Sequence, residues 1–181
     1  MYFPGTRPGT MASRLHVDAG LASQYGPAMR RFRLVTEGPR AGRPLSDMLG
    51  LPRPDRVVPY RLFEIVVGAI LRVSAAPGTP VSASVPMVTP TGRHFVYRTE
   101  TRVRPDGIGR MRVPYPTEPG APTAALGPYQ VDVSGTRRLV RITEAQVRSG
   151  AIIDVGIASS GAQPPPADDA PSVPAAGPAP L

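Results

Sequence analysis

The stretch RHFVYRTETRV, residues 93–103, decides the fold that the sequence predicts. Its residues alternate between two classes, as the side chains of a β-strand alternate between two faces. One face would carry Phe95, Tyr97, Thr99, Thr101 and Val103, and the other His94, Val96, Arg98, Glu100 and Arg102. Because the first set can be buried while the second meets solvent, the stretch predicts a half-buried strand.

Shorter stretches on both sides of residues 93–103 are also typical of strands. They are residues 31–35, 60–66, 69–73, 81–88, 109–113, 129–133, 138–142 and 151–155. Turn-forming pairs separate several of them, including Pro77-Gly78, Asp106-Gly107 and Ser134-Gly135. Eight or nine short strands at intervals of about 8 to 12 residues predict a mainly β protein, an antiparallel β-sandwich.

Two short helices are expected, one near the start of the chain and one before the last strand. Thr10 suits the N-cap of a helix that reaches about Asp18, with Gly20 as its stop. Thr143 and Gln146 have the spacing of a capping box, which predicts a single helical turn.

The chain therefore divides into three predicted parts. Residues 1–20 are a lead-in with a short helix, and residues 21–156 are the sandwich domain, interrupted by a long loop at 38–56 that is rich in proline and glycine. Residues 157–181 form a Pro/Ala-rich tail. We expect this tail to be disordered, because it cannot bury enough apolar surface to offset the entropy of ordering it.

The net charge of the chain indicates which classes of partner it could bind. The formal net charge is +8, which by itself could suggest nucleic acid or an anionic membrane surface. All 21 basic residues are arginine, however, as the codon bias of a GC-rich genome favours. We interpret most of them as solvated strand faces and expect no nucleic-acid partner, although a basic nucleic-acid binder stays an alternative.

One group of arginines could form a local basic patch. Arg102, Arg104, Arg110 and Arg112 flank the turn at Asp106, and a hairpin there would bring them together. Such a patch could contact anionic lipid headgroups at a membrane surface.

Several kinds of segment and site are not expected in this chain. It contains no cysteine, which excludes disulfide frameworks, thiolate metal sites and cysteine nucleophiles. Its longest apolar run, residues 65–71, is far shorter than the roughly 20 residues of a membrane-spanning helix. Residues 1–10 lack the layout of a signal peptide.

No credible catalytic constellation emerges from the residues. Ser13, His16 and Asp18 have the residue types of a triad, but the members of a triad normally converge from distant segments. His94 would face the polar side of its strand, and two histidines so far apart in sequence are a weak basis for a metal site. We therefore expect no enzymatic activity, metal or cofactor in this chain alone.

Three stretches resemble carboxypeptidase-regulatory or transthyretin-like sandwich modules. They are VGAILR (67–72), PDGIGRMRVP (105–114) and GPYQVDV (127–133). This resemblance implies a sandwich fold and says nothing about activity.

A longer resemblance is to the C-terminal extracytoplasmic region of archaeal-type oligosaccharyltransferase catalytic subunits, the dolichyl-phosphooligosaccharide-protein glycotransferase family. It spans about residues 9 to 155 in the order of the family. The stretches that carry it are TMASRL (10–15), FRLV (32–35), LFEIVVGA (62–69), TPTGRHFVY (89–97), VPY (113–115) and PYQV (128–131).

The resemblance implies a non-catalytic role for this chain. The family transfers a lipid-linked oligosaccharide to asparagine, using a divalent metal in a membrane domain and a Trp-Trp-Asp-Tyr-Gly motif that recognises the acceptor. This chain has no tryptophan, so that motif is not here, and no catalytic or metal-binding residue can be carried over. The resemblance implies a peripheral domain on the extracytoplasmic face, with a membrane-embedded glycosyltransferase domain as its partner.

The start of the chain offers a candidate docking surface to that partner. Its residues are Tyr2, Phe3, Met11, Arg14 and Leu15. The apolar members have few neighbours nearby in sequence to cover them, and leaving them all exposed would be costly in solubility. The alternative function is a free-standing adhesion or carbohydrate-binding sandwich.

Overall fold

The computed structural model describes residues 10–39 and 58–156. The loop that we placed at 38–56 lies mostly outside the described residues, as do Tyr2, Phe3 and the tail at 157–181. The described elements are α1 (Met11–His16), β1 (Phe32–Glu37), β2 (Arg61–Ile65), β3 (Ala69–Ser74), β4 (Pro80–Val88), β5 (His94–Arg102), β6 (Ile108–Val113), β7 (Ala124–Ala125), β8 (Tyr129–Val133), β9 (Thr136–Val140), α2 (Glu144–Ser149) and β10 (Ile152–Asp154).

Two sheets pack face to face and enclose the core. One has three strands in the order β10-β3-β6, and the other has five, in the order β5-β4-β8-β9 with the short β7 beside β4. A third sheet contains β1 and β2 and has two strands. The predicted class, a mainly β sandwich, is confirmed.

The core is made by the alternating side chains of these two sheets. On β4, Val81, Ala83, Val85 and Met87 are buried, while the residues between them are partly exposed. They pack with buried residues of β3 and β6 and with Tyr97 and two further tyrosines in one cluster. On β5 the predicted faces are confirmed: Phe95, Tyr97, Thr99, Thr101 and Val103 are buried or half-buried, and His94, Val96, Arg98, Glu100 and Arg102 are exposed.

One strand pair differs from the antiparallel prediction. β10 pairs with β3 in parallel, with Ile152 opposite Ile70 and Asp154 opposite Arg72. The preceding strand β9 belongs to the other sheet, and α2 carries the chain across to the edge of β3. A crossover of this kind allows the next strand to pair in parallel, whereas a tight hairpin joins two antiparallel strands.

The two predicted helix starts are confirmed. The Thr10 side chain accepts a hydrogen bond from the Ser13 backbone N–H, although α1 ends at His16 rather than near Asp18. At α2 the Thr143 side chain accepts from the Gln146 N–H, and the Gln146 side chain accepts from the Thr143 N–H, which completes the capping box. Gly150 then ends α2 with a φ of +70°.

The described residues before Gly68, which are 10–39 and 58–67, form a unit that we call the N-terminal module. It contains α1 and the two-stranded sheet of β1 and β2, in which Phe32 lies opposite Ile65 and Leu34 opposite Phe63. Ala28 and Val66 of the module reach into the sandwich core. The Leu34 N–H donates to the hydroxyl of the buried Tyr115 at 2.9 Å, so the module is bonded directly to the sandwich.

Candidate functional site

The structure places the described docking residues of α1 in different environments. Met11 is 60% exposed, and Leu15 is half-buried. Arg14 is half-buried, and its guanidinium donates to the carbonyl oxygen of Pro27. Met11 is thus the most exposed of the three to a partner, while Arg14 is hydrogen-bonded to the loop that follows α1.

Strand β2 adds exposed apolar side chains to the N-terminal module. The run 60–66 has the apolar residues of a core strand, but Leu62 is 56% exposed and Ile65 is 70% exposed. The reason is the sheet to which β2 belongs: its one described strand partner is β1, so β2 is an edge strand. A run of apolar residues does not distinguish such an edge strand from a central one.

Exposed apolar side chains are concentrated on the N-terminal module. Eleven large hydrophobic side chains of the described residues are exposed, and seven of these belong to the module. The seven are Met11, Val17, Tyr25, Tyr60, Leu62, Ile65 and Val67. Because the module is much the smaller part of the described chain, these side chains are candidate interface residues, with Leu62 and Ile65 on opposite faces of β2.

Two networks of ion pairs attach the module to the sandwich. In the first, Arg33 of β1 donates to Glu144 of α2 from Nη1 at 2.6 Å and from Nη2 at 2.8 Å. Arg33 also donates to Glu64 from Nε and Nη2. The hydrogen bonds from Arg33 lower the pKa of Glu144 to about 2, aided by Arg148 and opposed by burial.

The second network surrounds Glu37, a buried carboxylate at the end of β1. Arg93 donates to its Oε1 at 2.5 Å, and Arg61 donates to its Oε2 at 3.2 Å. Burial raises the pKa of Glu37, but the hydrogen bonds and charges of Arg93 and Arg61 outweigh that effect and lower it. The guanidinium of Arg93 also lies 4.8 Å from the ring centroid of Phe95, so it joins the module to the start of β5.

The residues with triad chemistry are not brought together as a catalytic group. Ser13 is buried, His16 is exposed, and the Asp18 carboxylate accepts a hydrogen bond from the hydroxyl of Ser23 at 2.8 Å. His94 is exposed at the start of β5. Within residues 10–39 and 58–156, no group of three or more histidine, cysteine or acidic residues could hold a metal ion.

The arginines that a hairpin at Asp106 could have brought into one basic patch are divided between two sheets. Arg102 lies on β5 of the five-stranded sheet, whereas Arg110 and Arg112 lie on β6 of the three-stranded sheet. The turn at Asp106 therefore crosses from one layer to the other. Arg110 and Arg112 instead share a face with Arg72, which lies directly opposite Arg110.

A polar groove of about 510 Å³ lies on the outer face of the five-stranded sheet. Ser82 of β4 lies between Glu100 of β5 and Asp132 of β8 in the strand register. Because the serine is short and its neighbours are long, a depression forms along β4. Its other polar lining residues include Arg98, Arg102 and Ser134.

No helix in the described part of the chain is long and apolar enough to cross a membrane.

The sandwich resembles a domain of a known protein family. Residues 68–153 match the model described as the archaeal glycosylation protein B long peripheral domain. This range begins just before β3 and ends within β10, so it contains both sheets of the sandwich. A comparison with curated protein sequences finds no match.

Two solved structures show the same fold. One is the crystal structure of the Archaeoglobus fulgidus oligosaccharyltransferase in complex with zinc and sulfate, with 18% identity and a TM-score of 0.63, covering 80% of this chain. The other is the archaeal oligosaccharyltransferase AglB from the same organism in complex with an inhibitory peptide and a dolichol-phosphate, with 18% identity and a TM-score of 0.64, covering 81% of this chain. The matches cover 24% and 22% of those chains, so this chain spans under a quarter of their length.

Proposed function

We propose that the chain is a non-catalytic part of a membrane glycosyltransferase, because residues 68–153 match the model of the archaeal glycosylation protein B long peripheral domain. In this role it lies on the extracytoplasmic face and supports the transfer of a lipid-linked oligosaccharide to asparagine. The observation that carries the proposal is the agreement of two comparisons, the family match and the fold shared with Archaeoglobus fulgidus oligosaccharyltransferase.

The sequence supports assigning catalysis to another part of the enzyme. The tryptophan-containing motif that the family uses to recognise the acceptor cannot lie in a chain without tryptophan. The divalent metal of the family belongs to its membrane domain, so this chain contributes no cofactor ligand. Its proposed contribution is structural: it stabilises the catalytic part or shapes the access of the acceptor protein.

The contact with the membrane-embedded partner is assigned to the N-terminal module. Its exposed apolar side chains would be buried in such a contact, and burial of each leucine or isoleucine contributes about 1.5 to 3 kcal/mol. The Arg33–Glu144 and Glu37–Arg93 ion pairs hold the module on the sandwich, which preorganises its exposed side chains for docking. Within the proposed docking set, Met11 and Leu15 contribute apolar contacts and Arg14 positions the loop beneath them.

Co-purification tests the proposal. The chain is co-expressed with the membrane-spanning part of an oligosaccharyltransferase from its own source and recovered through a tag on the membrane part. We expect the two to co-purify, and we expect the double change Met11→Ser and Leu15→Ser to weaken recovery while the sandwich stays folded. Unchanged recovery of that variant would show that α1 is not part of the interface. Failure of the unmodified chain to co-purify would reject the proposed function.

A second candidate function, a free-standing saccharide-binding sandwich, is favoured by one observation. The groove over Ser82 offers hydroxyl, carboxylate and guanidinium groups that can hydrogen-bond sugar hydroxyls. Its lining contains no aromatic ring on which a sugar could stack. Calorimetric titration of the isolated chain with oligosaccharides distinguishes the two functions, because only the free-standing module requires binding in the absence of the membrane part.

A further inference from the structure

We infer that the outer face of the three-stranded sheet contacts anionic phospholipid headgroups at the membrane surface. We call this surface the Ile/Arg face; it consists of Ile70, Arg72, Ile108, Arg110, Arg112 and Ile152. The inference deepens the proposed function and rests on it, because a peripheral domain of a membrane enzyme works beside a bilayer.

The strand register builds this face from two kinds of side chain. One row across the sheet places Ile152 beside Ile70 and Ile70 beside Arg112. The next row places Asp154 beside Arg72 and Arg72 beside Arg110. The buried residues Leu71 and Met111 alternate with these positions and point into the core, so the Ile/Arg face points outward.

The face carries an excess of positive charge. The one acidic residue in these two rows, Asp154, lies beside the Ile/Arg face and is bonded to Arg72 at 2.6 Å between Oδ2 and Nη2. Arg112 donates to the carbonyl oxygens of Val67 and Gly68, which are uncharged, so its positive charge is not neutralised there. Arg110 is exposed and makes no ion pair with any described residue. Arg110 and Arg112 therefore carry two positive charges that no acidic side chain of the described residues neutralises.

The isoleucines favour a bilayer over other anionic partners. Ile152 is 57% exposed at the sheet edge, Ile70 is half-exposed beside Arg112, and Ile108 is half-exposed two residues before Arg110. Aliphatic side chains next to arginines suit the membrane interface, where the former meet acyl chains and the latter meet phosphates. The face has no aromatic ring on which a nucleobase could stack, which disfavours a single-stranded nucleic acid.

The other outer face of the sandwich is arranged differently and supplies the controls. There Arg98 pairs with Glu100 at 3.0 Å, and Asp132 lies opposite Arg137. Arg137 matches Arg110, because both are exposed strand residues of the same type. Leu139, which is 65% exposed on an edge strand, matches Ile152.

The test is co-sedimentation of the full chain with phosphatidylcholine vesicles that contain or lack phosphatidylserine. We expect binding to the anionic vesicles alone, and a loss of about fivefold or more for Arg110→Glu, since each arginine near the surface accounts for about a fivefold change in partitioning. Ile152→Ser should also weaken binding. The matched variants Arg137→Glu and Leu139→Ser should change it much less.

Each other outcome overturns the inference. No binding to either kind of vesicle would show that this face does not contact lipid. Equal losses of vesicle binding in Arg110→Glu and Arg137→Glu would show an effect of net charge alone. Equally tight binding to soluble polyglutamate would indicate an acidic protein partner instead. Because no membrane catalytic part is present in this assay, its failure leaves the co-purification test of the proposed function unaffected.

Discussion

Arg33 of β1 and Glu144 of α2, two residues 111 positions apart in sequence, form an ion pair with two hydrogen bonds. The pair joins the N-terminal module to the last helix of the sandwich. The Arg33 side chain is 10% exposed, so its guanidinium depends on Glu144 and Glu64 for the hydrogen bonds that water would otherwise make.

Replacing Arg33 should therefore destabilise the whole described fold. We expect Arg33→Met to lower the free energy of unfolding by about 3 kcal/mol, because it leaves Glu144 and Glu64 without their shared partner. Arg148 pairs with the same carboxylate of Glu144 but is largely exposed, so Arg148→Met should cost less than about 1 kcal/mol. Urea denaturation of the two variants provides the comparison, and equal losses would contradict a special role for Arg33.

Stability should fall when the solution is acidified below pH 4.5. The Arg33 hydrogen bonds lower the pKa of Glu144 from 4.5 to about 2 in the folded state. Since the unfolded chain takes up this proton first, the stabilisation is complete above about pH 4.5 and is lost as the pH falls toward 2. The loss amounts to about 2 kcal/mol after allowance for solvent screening. Denaturation at pH 6 and pH 3 should show a smaller difference in Arg33→Met, and an unchanged difference would contradict the assignment.

Glu37 should tolerate substitution poorly because its partners are charged. In Glu37→Gln the amide cannot neutralise Arg93 and Arg61, and we expect a loss of about 3 kcal/mol in the free energy of unfolding. The exposed pair of Arg98 and Glu100 gives the control: Glu100→Gln should cost less than about 1 kcal/mol. Similar small losses for both would show that the Glu37 network is hydrated in solution.

Gly150 is required for two separate reasons, and the chain offers a glycine that shares only one of them. Gly150 and Gly135 have φ values of +70° and +83°, which strain any other residue. A Cβ at Gly150 would also lie 2.5 Å from the Cγ1 of Val67, whereas a Cβ at Gly135 would meet no atom within 4 Å. We expect Gly135→Ala to cost about 1 kcal/mol and Gly150→Ala at least about 1 kcal/mol more. Thermal denaturation would contradict this if the two midpoints fell equally.

Local patterns explain why much of the fold could be predicted from the sequence. The alternation in residues 93–103 correctly assigned the buried and exposed faces of β5, and Thr10 and Thr143 correctly marked two helix starts. These features depend on residues within a few positions of each other. The parallel direction of β10 depends instead on its pairing with β3 after α2, and residues close in sequence do not determine that pairing.

The same distinction applies to the candidate site. Leu62 and Ile65 have the residue types of a core strand, and only the pairing of β2 with β1 in a separate sheet shows that they are exposed. The Ile/Arg face likewise depends on the register between three strands that are distant in sequence. One part of this face can be derived from the sequence: Arg110 and Arg112 are two positions apart on β6, so both point to the same side of the strand.

The most direct test of the proposed role is the affinity of the chain for the membrane-spanning part of the oligosaccharyltransferase, measured with both in detergent. The account predicts a one-to-one complex, and at least about tenfold weaker binding for the double change Leu62→Ser and Ile65→Ser. These side chains lie on opposite faces of β2, and the loss of even one of them from the contact costs about 1.5 to 3 kcal/mol. The control change Val96→Ser and Leu139→Ser, on the sandwich, should leave the affinity unchanged. No complex with the unmodified chain, or equal weakening by the two double changes, would contradict the account.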